Sequence, residues 1–284
     1  MDNIKIHVFH TGEVCVAPEL PFGGEHCSAI KASGIFNTSK NRLWLPVSSY
    51  LIQYNDKKIL FDCGWHRNMS PLGKYDKKAQ INSLGSWALY KTNQGKISKG
   101  KAIDEQLLEL GIKPSDLDMV LLSHLDCDHV NGLKLVAEAK QILVSNDEFE
   151  FANKKTLINR IRYNSSWWSS TKITGFHWNG KEGPAKKSYD VFEDGSLVMI
   201  NIPGHCDGLC ALKITNSDGK FVLLFADGGY SRKSWMEQIP SGISADKTAQ
   251  KKSLAWIRDQ SLNENCVESL ANHDIDIKPH IITL

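Results

Sequence analysis

The tightest constraint on the fold is the stretch from residue 119 to residue 144. Residues 119–122 are an apolar run of strand length, residues 123–129 are polar, residues 130–140 carry apolar side chains at helical spacing, and residues 141–144 are again strand-like. Strand, polar loop, helix and strand in that order form the repeating unit of an α/β layered domain. The rest of the chain is compatible with that class. Residues 1–10 alternate polar and apolar, residues 14–17 are short and apolar, and residues 47–53 and 58–61 flank Tyr54-Asn55-Asp56-Lys57 as a hairpin would. Residues 18–24, with Pro21, Gly23 and Gly24, read as a loop. Residues 103–110 read as a short amphipathic helix stopped at Gly111 and residues 114–118 as a turn. Residues 197–202, 209–214 and 221–225 read as strands, and residues 248–258 as a helix bearing Leu254, Trp256 and Ile257.

Two stretches break the pattern. Residues 65–101 are rich in Gly, Lys, Asn and Ser, and residues 153–190 scatter Trp167, Trp168, Phe176 and Trp178 among Ser, Thr and Gly. Both are expected to be loop or lid insertions in a single domain spanning residues 1–284. The aromatics, with Trp65, either wall an apolar cavity or pack the loops down.

Charge and cysteine usage narrow the partners. With 34 Lys plus Arg against 32 Asp plus Glu the net charge is +2, too weak a field to argue for nucleic acid or an acidic membrane surface. The longest apolar run, residues 221–226, is far short of the ~20 residues that span a bilayer. The start of the chain lacks the basic and then apolar pattern of a secretory leader. The seven cysteines form no CxxC pair and fit reduced thiols. The expectation is a cytoplasmic protein, monomer or homodimer, acting on a small molecule.

The chemistry concentrates in His124-Leu125-Asp126-Cys127-Asp128-His129, directly behind an apolar strand. Residues 124, 126 and 128 would share one side of an extended segment, with His129 opening the next helix and Cys127 turned away. Two imidazoles and two carboxylates in six residues are a metal-ligand set rather than an ordinary solvated loop. His205, Asp227 and His273 each follow a strand-like or apolar segment and could complete it.

Taken in order, Asp62-Cys63-Gly64, the 124–129 loop, Pro203-Gly204-His205, Asp227 and His273 resemble the metallo-β-lactamase superfamily, an αββα four-layer sandwich of the α/β (α+β) class. Asp227-Gly228-Gly229-Tyr230 and Asn272-His273-Asp274 are most similar to its N-acyl-homoserine lactonase branch. The resemblance implies a metal-dependent hydrolase that opens a lactone or related ester with a metal-bridging hydroxide. One metal would be held by His124, Asp126 and His205 and the other by Asp128, His129 and His273, with Asp227 bridging. It further implies Tyr230 as a donor to the oxyanion, Asp128 as a proton carrier to the leaving group and Asp62 as the residue that orients a ligand His.

One position departs from the family's usual His-x-His-x-Asp-His: Asp126 stands where the second His is expected. Two divalent ions, three Asp and one hydroxide then sum to a formal charge of zero, where the usual set leaves +1. The ions should be weaker Lewis acids, and the added carboxylate makes Mn or Fe more competitive with zinc, which is still named first. Alternatively Asp126 turns away and only one metal binds. The competing functions are a metal-binding sensor that has lost turnover, a di-iron redox protein, for which an appended flavin domain has no room, and a phosphodiesterase, which the charge balance disfavours.

Overall fold

The computed structural model describes residues 4–37 and 41–284. β1 (Ile4–Val16) is followed by α1 (Glu19–Phe22), α2 (Ala29–Ser33), β2 (Leu43–Tyr54), β3 (Lys57–Phe61), α3 (Lys77–Leu84), α4 (Trp87–Thr92), β4 (Gln94–Lys96), α5 (Ile103–Glu109), β5 (Met119–Leu121) and α6 (Cys127–Val130). The second half comprises β6 (Gln141–Ser145), α7 (Asn146–Asn153), α8 (Leu157–Arg162), β7 (Thr174–Phe176), β8 (Ser188–Asp190), β9 (Leu197–Asn201), β10 (Cys210–Thr215), β11 (Phe221–Leu224), α9 (Arg232–Met236), α10 (Lys247–Ser261), β12 (Cys266–Leu270) and β13 (Ile281–Thr283). They build an eight-stranded sheet, in the order β13-β1-β2-β3-β5-β6-β7 with β4 also on β1, and a five-stranded sheet in the order β12-β11-β10-β9-β8.

The burial pattern explains why both sheets need cover on two faces. Every residue of β9 and β11 is buried, and so is every residue of β2 from Leu45 to Ile52. Such strands show no polar face because one side meets the other sheet and the other meets helices. Buried apolar side chains from both sheets join in a single cluster. The sheets are also stitched directly: Ser48 Oγ donates to the Asn272 carbonyl at 2.9 Å, Tyr50 donates to the Ala271 carbonyl at 3.2 Å, and the Cys210 N–H donates to the Ser123 carbonyl at 3.0 Å. This is the expected four-layer α/β sandwich.

Several local expectations need correction. The alternating start is seen from Ile4 onward, Met1–Asn3 lying outside the described residues, and it continues as one strand through Val16. A register shift between His10 and Glu13, with Gly12 at φ +119°, bends β1 where two strands were expected. Residues 18–24 contain α1, which Pro18 caps, because a proline there forfeits no intrahelical hydrogen bond. Residues 130–140 are not one helix: α6 ends at Val130 and a 3₁₀ segment runs from Asn131 to Val136. Strand β13 and helix α7 were not anticipated.

The two irregular stretches are more ordered than their composition suggests. Residues 65–101 form α3, α4 and β4 and place Trp65, Met69, Leu84, Leu89 and Ile97 in the core. Ser86 and Asp76 cap these short helices, and the polar residues that obscured the periodicity are their caps and outer faces. Residues 153–190 supply α8, β7 and β8. The short strands escaped notice because three residues are too few to show an alternation. Trp167 and Trp168 are buried, and the Trp167 indole donates to the Ser83 carbonyl at 2.8 Å, fastening this stretch to the end of α3. Among the described residues, no helix is long and apolar enough to cross a membrane.

Candidate metal centre

The loops that follow β3, β5, β9, β11 and β12 converge on one spot, and each delivers a polar side chain to it. After β5 the chain stays extended through Asp126 (φ −69°, ψ 156°) and then turns at once into α6. The alternation expected from 124 to 128 therefore stops at 126. His124 and Asp126 point one way, while Asp128 and His129, on the first turn of α6, point into an adjoining space. Gly132 lets α6 lie this close to the loop after β3, since a Cβ there would overlap the Cys63 carbonyl oxygen.

Two donor clusters result, each with its ligand atoms within 4.8 Å of one another: His124, Asp126, His205 and Asp227 in one, Asp128, His129 and His273 in the other. Asp227 lies between them. Its Oδ1 is 3.2 Å from His129 Nε2 and 3.1 Å from His273 Nε2, and its Oδ2 is 3.6 Å from His205 Nε2. Asp128 Oδ2 is 3.4 Å from His273 Nε2, and Asp126 Oδ2 is 3.4 Å from His124 Nε2. All seven residues are buried, with Asp126, Asp128 and His205 retaining a sliver of exposure that marks the open side.

Three of the four imidazoles are oriented from behind. His129 Nδ1 donates to Asp62 Oδ2 at 2.7 Å, His273 Nδ1 donates to the Pro46 carbonyl at 2.7 Å, and His124 Nδ1 faces Ser123 Oγ at 2.9 Å. Ser123 in turn donates its hydroxyl and its N–H to Asp62 at 2.7 and 2.8 Å. With the proton fixed on Nδ1, each Nε2 lone pair faces the centre, the usual outer arrangement around a metal-binding histidine. Asp62 thus sits where a residue orienting a ligand histidine should sit. Ser123 and the Pro46 carbonyl share that task, although no motif distinguishes them in the sequence.

The donors fit divalent ions. His124 Nε2, His273 Nε2 and Asp227 Oδ1 are buried without a hydrogen-bond partner, a costly state for polar atoms that do not meet a cation. Of these, His273 Nε2 and Asp227 Oδ1 are 3.1 Å apart, the closeness expected of donors aimed at a cation. Burial, with His129 beside it, lowers His124 to a pKa of about 4, leaving it neutral. Burial also opposes charge on His129 and His273, but Asp227 outweighs it in both, helped by Asp62 at His129 and Asp128 at His273, and raises both. The carboxylates demand positive charge here. Imidazole and carboxylate together suit zinc and, with three Asp, the harder Mn and Fe.

Tyr230 packs its ring on His273, centroids 5.1 Å apart and 24° from parallel. Burial and then the Asp227, Asp128 and Asp126 carboxylates push its pKa well above the ordinary value, so the hydroxyl keeps its proton. Cys127 is buried behind the loop with its thiol near Asn93 and Asp128, and burial raises its pKa well above the usual thiol range. Trp65 is a core residue whose indole donates to the Glu13 carbonyl at 3.2 Å. His66 caps a 3₁₀ turn, and His26 is exposed.

Sequence reasoning also missed Arg162, at the end of α8. Its Nε and Nη2 grip Asp126 Oδ1 and Oδ2 at 2.6 and 2.7 Å, and Nη2 also lies 2.8 Å from His205 Nε2. The only hint was the unbalanced extra carboxylate at 126, which calls for a cation without saying where it comes from.

Comparison with known proteins agrees with this architecture. Residues 42–145 match the family model described as the metallo-beta-lactamase superfamily. The chain is 32% identical over 239 residues to the N-acyl homoserine lactonase AiiB of Agrobacterium fabrum, covering 81% of this chain and 80% of that protein. The chain belongs to the metallo-beta-lactamase superfamily. It is also similar to the N-acyl homoserine lactonase AttM of Rhizobium radiobacter, at 27% identity over 169 residues, which spans 57% of this chain but only 60% of the relative's length. Among solved structures, an N-acyl homoserine lactone hydrolase with N-hexanoyl-L-homoserine bound at its metal centre superposes with a TM-score of 0.68 at 21% identity, covering 96% of this chain and 94% of that one. This member of the superfamily thus shares the fold, and its first donor cluster pairs Asp126 with Arg162.

Proposed function

We propose that this chain is a metal-dependent hydrolase that opens a lactone or related ester, with N-acyl-homoserine lactones as the leading substrate class. The observation that carries this reading is the pair of adjoining donor clusters joined at Asp227, with a protonated Tyr230 beside them. The AiiB and AttM relatives support the substrate class. His124, Asp126, His205 and Asp227 would hold one ion, and Asp128, His129, His273 and Asp227 the other, zinc first with Mn or Fe as competitors. Divalent ions bound there supply Lewis acidity and a water made nucleophilic near neutral pH.

The remaining work falls to the protein. Tyr230 donates a hydrogen bond to the carbonyl oxygen as negative charge develops on it, a contact that strengthens toward the transition state. Asp128, on the open side, takes a proton from the attacking water and returns it to the ring oxygen as the acyl C–O bond breaks, giving the open hydroxy acid. Asp62 and Ser123 hold two of the imidazoles in the required tautomer. We read the chain as one domain, monomer or homodimer, and place it in the cytoplasm, for which the seven free thiols are the support.

Hydrolysis of a panel of lactones, aryl esters and phosphodiesters, after reconstitution with Zn²⁺, Mn²⁺ or Fe²⁺, tests this. Lactones should be cleaved fastest, and Tyr230→Phe should lower kcat by about ten- to a thousandfold with metal content unchanged. Bound metal without turnover of any lactone or ester would favour a sensor, and phosphodiesters cleaved fastest would replace the substrate class.

A further inference from the structure

The two clusters are not equally free to accept an ion. In the second, His273 Nε2 has no hydrogen-bond partner and its tautomer is fixed by the Pro46 carbonyl. In the first, two of the four donors already have a partner within the protein. Both oxygens of Asp126 lie in the fork of Arg162, and His205 Nε2 is 2.8 Å from both Asp126 Oδ2 and Arg162 Nη2. An imidazole nitrogen has one lone pair or one proton, never both. If His205 Nε2 carries the proton it donates to Asp126, and if it does not it accepts from Arg162. Either way the atom is engaged. Nothing behind the ring selects the tautomer, because His205 Nδ1 is buried with no partner, unlike the Nδ1 atoms of the other three histidines.

Arg162 is held firmly enough to matter. Its side chain is 15% exposed, Nη1 reaches the His205 carbonyl at 3.2 Å, and the guanidinium lies 5.1 Å from the Tyr163 ring centre. A forked guanidinium–carboxylate pair is among the stronger polar contacts a protein makes. Its charge also bears on the site as a whole. Asp126 in place of a neutral imidazole adds one negative charge, and Arg162 cancels it. The helix that carries Arg162 can give way, however: α8 has six residues, and Leu157 and Ile158 on it are 76% and 66% exposed, so little apolar burial pins it down.

We propose that Arg162 is a built-in competitor for the first cluster, so that the Asp128–His129–His273 cluster fills first and the His124–Asp126–His205 cluster fills only as the guanidinium releases Asp126 and His205. The inference rests on the metallohydrolase reading above and concerns binding rather than turnover. Expelling or retaining a cation beside the pocket changes the affinity for a divalent ion through both competition and charge repulsion, and the two effects have the same sign.

Titration of the metal-free protein with Zn²⁺ against a chromophoric chelator, repeated with Co²⁺ to follow its visible absorption, measures each equivalent without any substrate. The wild-type protein should bind two equivalents whose Kd values differ by at least about a hundredfold. Arg162→Gln should tighten the second equivalent by at least about tenfold and leave the first unchanged. Because Arg162→Gln strands a buried carboxylate and could unfold the loop, the double variant Asp126→His/Arg162→Gln, which removes both charges, is measured beside it with a thermal melt. It should bind two equivalents of similar, high affinity. Two equal equivalents in the wild type, or a second equivalent that Arg162→Gln leaves unchanged or weakens, would overturn the inference while leaving the metallohydrolase reading intact. Failure of every folded form to bind even one equivalent would overturn both.

Discussion

Asp62 offers the sharpest test of how the centre is built. Three donors converge on its fully buried carboxylate: the Ser123 N–H at 2.8 Å, the Ser123 hydroxyl at 2.7 Å and the His129 Nδ1–H at 2.7 Å. Asp62→Asn is the informative change, because residue 62 has φ +60° and Asn, like Asp, tolerates that left-handed backbone. Only the side-chain chemistry is then altered. The amide keeps one acceptor oxygen, and its NH₂ must face a donor in place of the other. Charge-assisted bonds become neutral ones, and one buried donor loses its partner, so the metal-free protein should lose about 3–5 kcal/mol. That is a large part of the ~5–15 kcal/mol that holds a typical domain together. Released from Asp62, the His129 ring also loses its fixed tautomer, and the Asp128–His129–His273 cluster should bind metal about 10- to 100-fold more weakly. Urea denaturation of the metal-free protein measures the first effect, and Zn²⁺ competition titration the second. A variant within about 0.5 kcal/mol of wild type and with undiminished metal affinity would refute the claim that Asp62 organises the site.

Other consequences follow from buried groups near the centre. Glu148 is fully buried and accepts the Leu125 N–H at 3.0 Å; burial raises its pKa to about 7 from the ordinary 4.5. The folded state therefore holds this proton more tightly than the unfolded state does. Its contribution is present below about pH 4.5 and is lost as pH rises through about 7, which amounts to about 3 kcal/mol. Denaturation of wild type and Glu148→Gln across pH 4–8 should show the variant gaining relative stability as pH rises, and parallel curves would dismiss the effect. Gly132→Ala should destabilise the protein by about 2 kcal/mol or more, because its Cβ would overlap the Cys63 carbonyl in a backbone contact with no room to adjust. A melting temperature unchanged by that substitution would show that α6 can shift without penalty.

The sequence by itself determined the layered α/β class, the positions of the central strands and the 124–129 motif, because those signals are local. Alternation, apolar runs and a six-residue cluster of ligand types can be read without knowing what lies opposite. The helices in residues 65–101 and the short strands β7 and β8 were illegible for the converse reason: three- to eight-residue elements owe their form to caps and tertiary packing rather than to periodicity. The family resemblance supplied His205, Asp227 and His273 and the division of the ligands into two sets, while the physical cause of that division, the turn into α6 immediately after Asp126, was visible only in the tertiary structure. Only the tertiary structure revealed the partner of Asp126. Arg162 lies 36 residues along the chain, in a stretch with no readable period. A buried charge states that it needs a counter-charge, but only the fold decides which of 34 cations provides it.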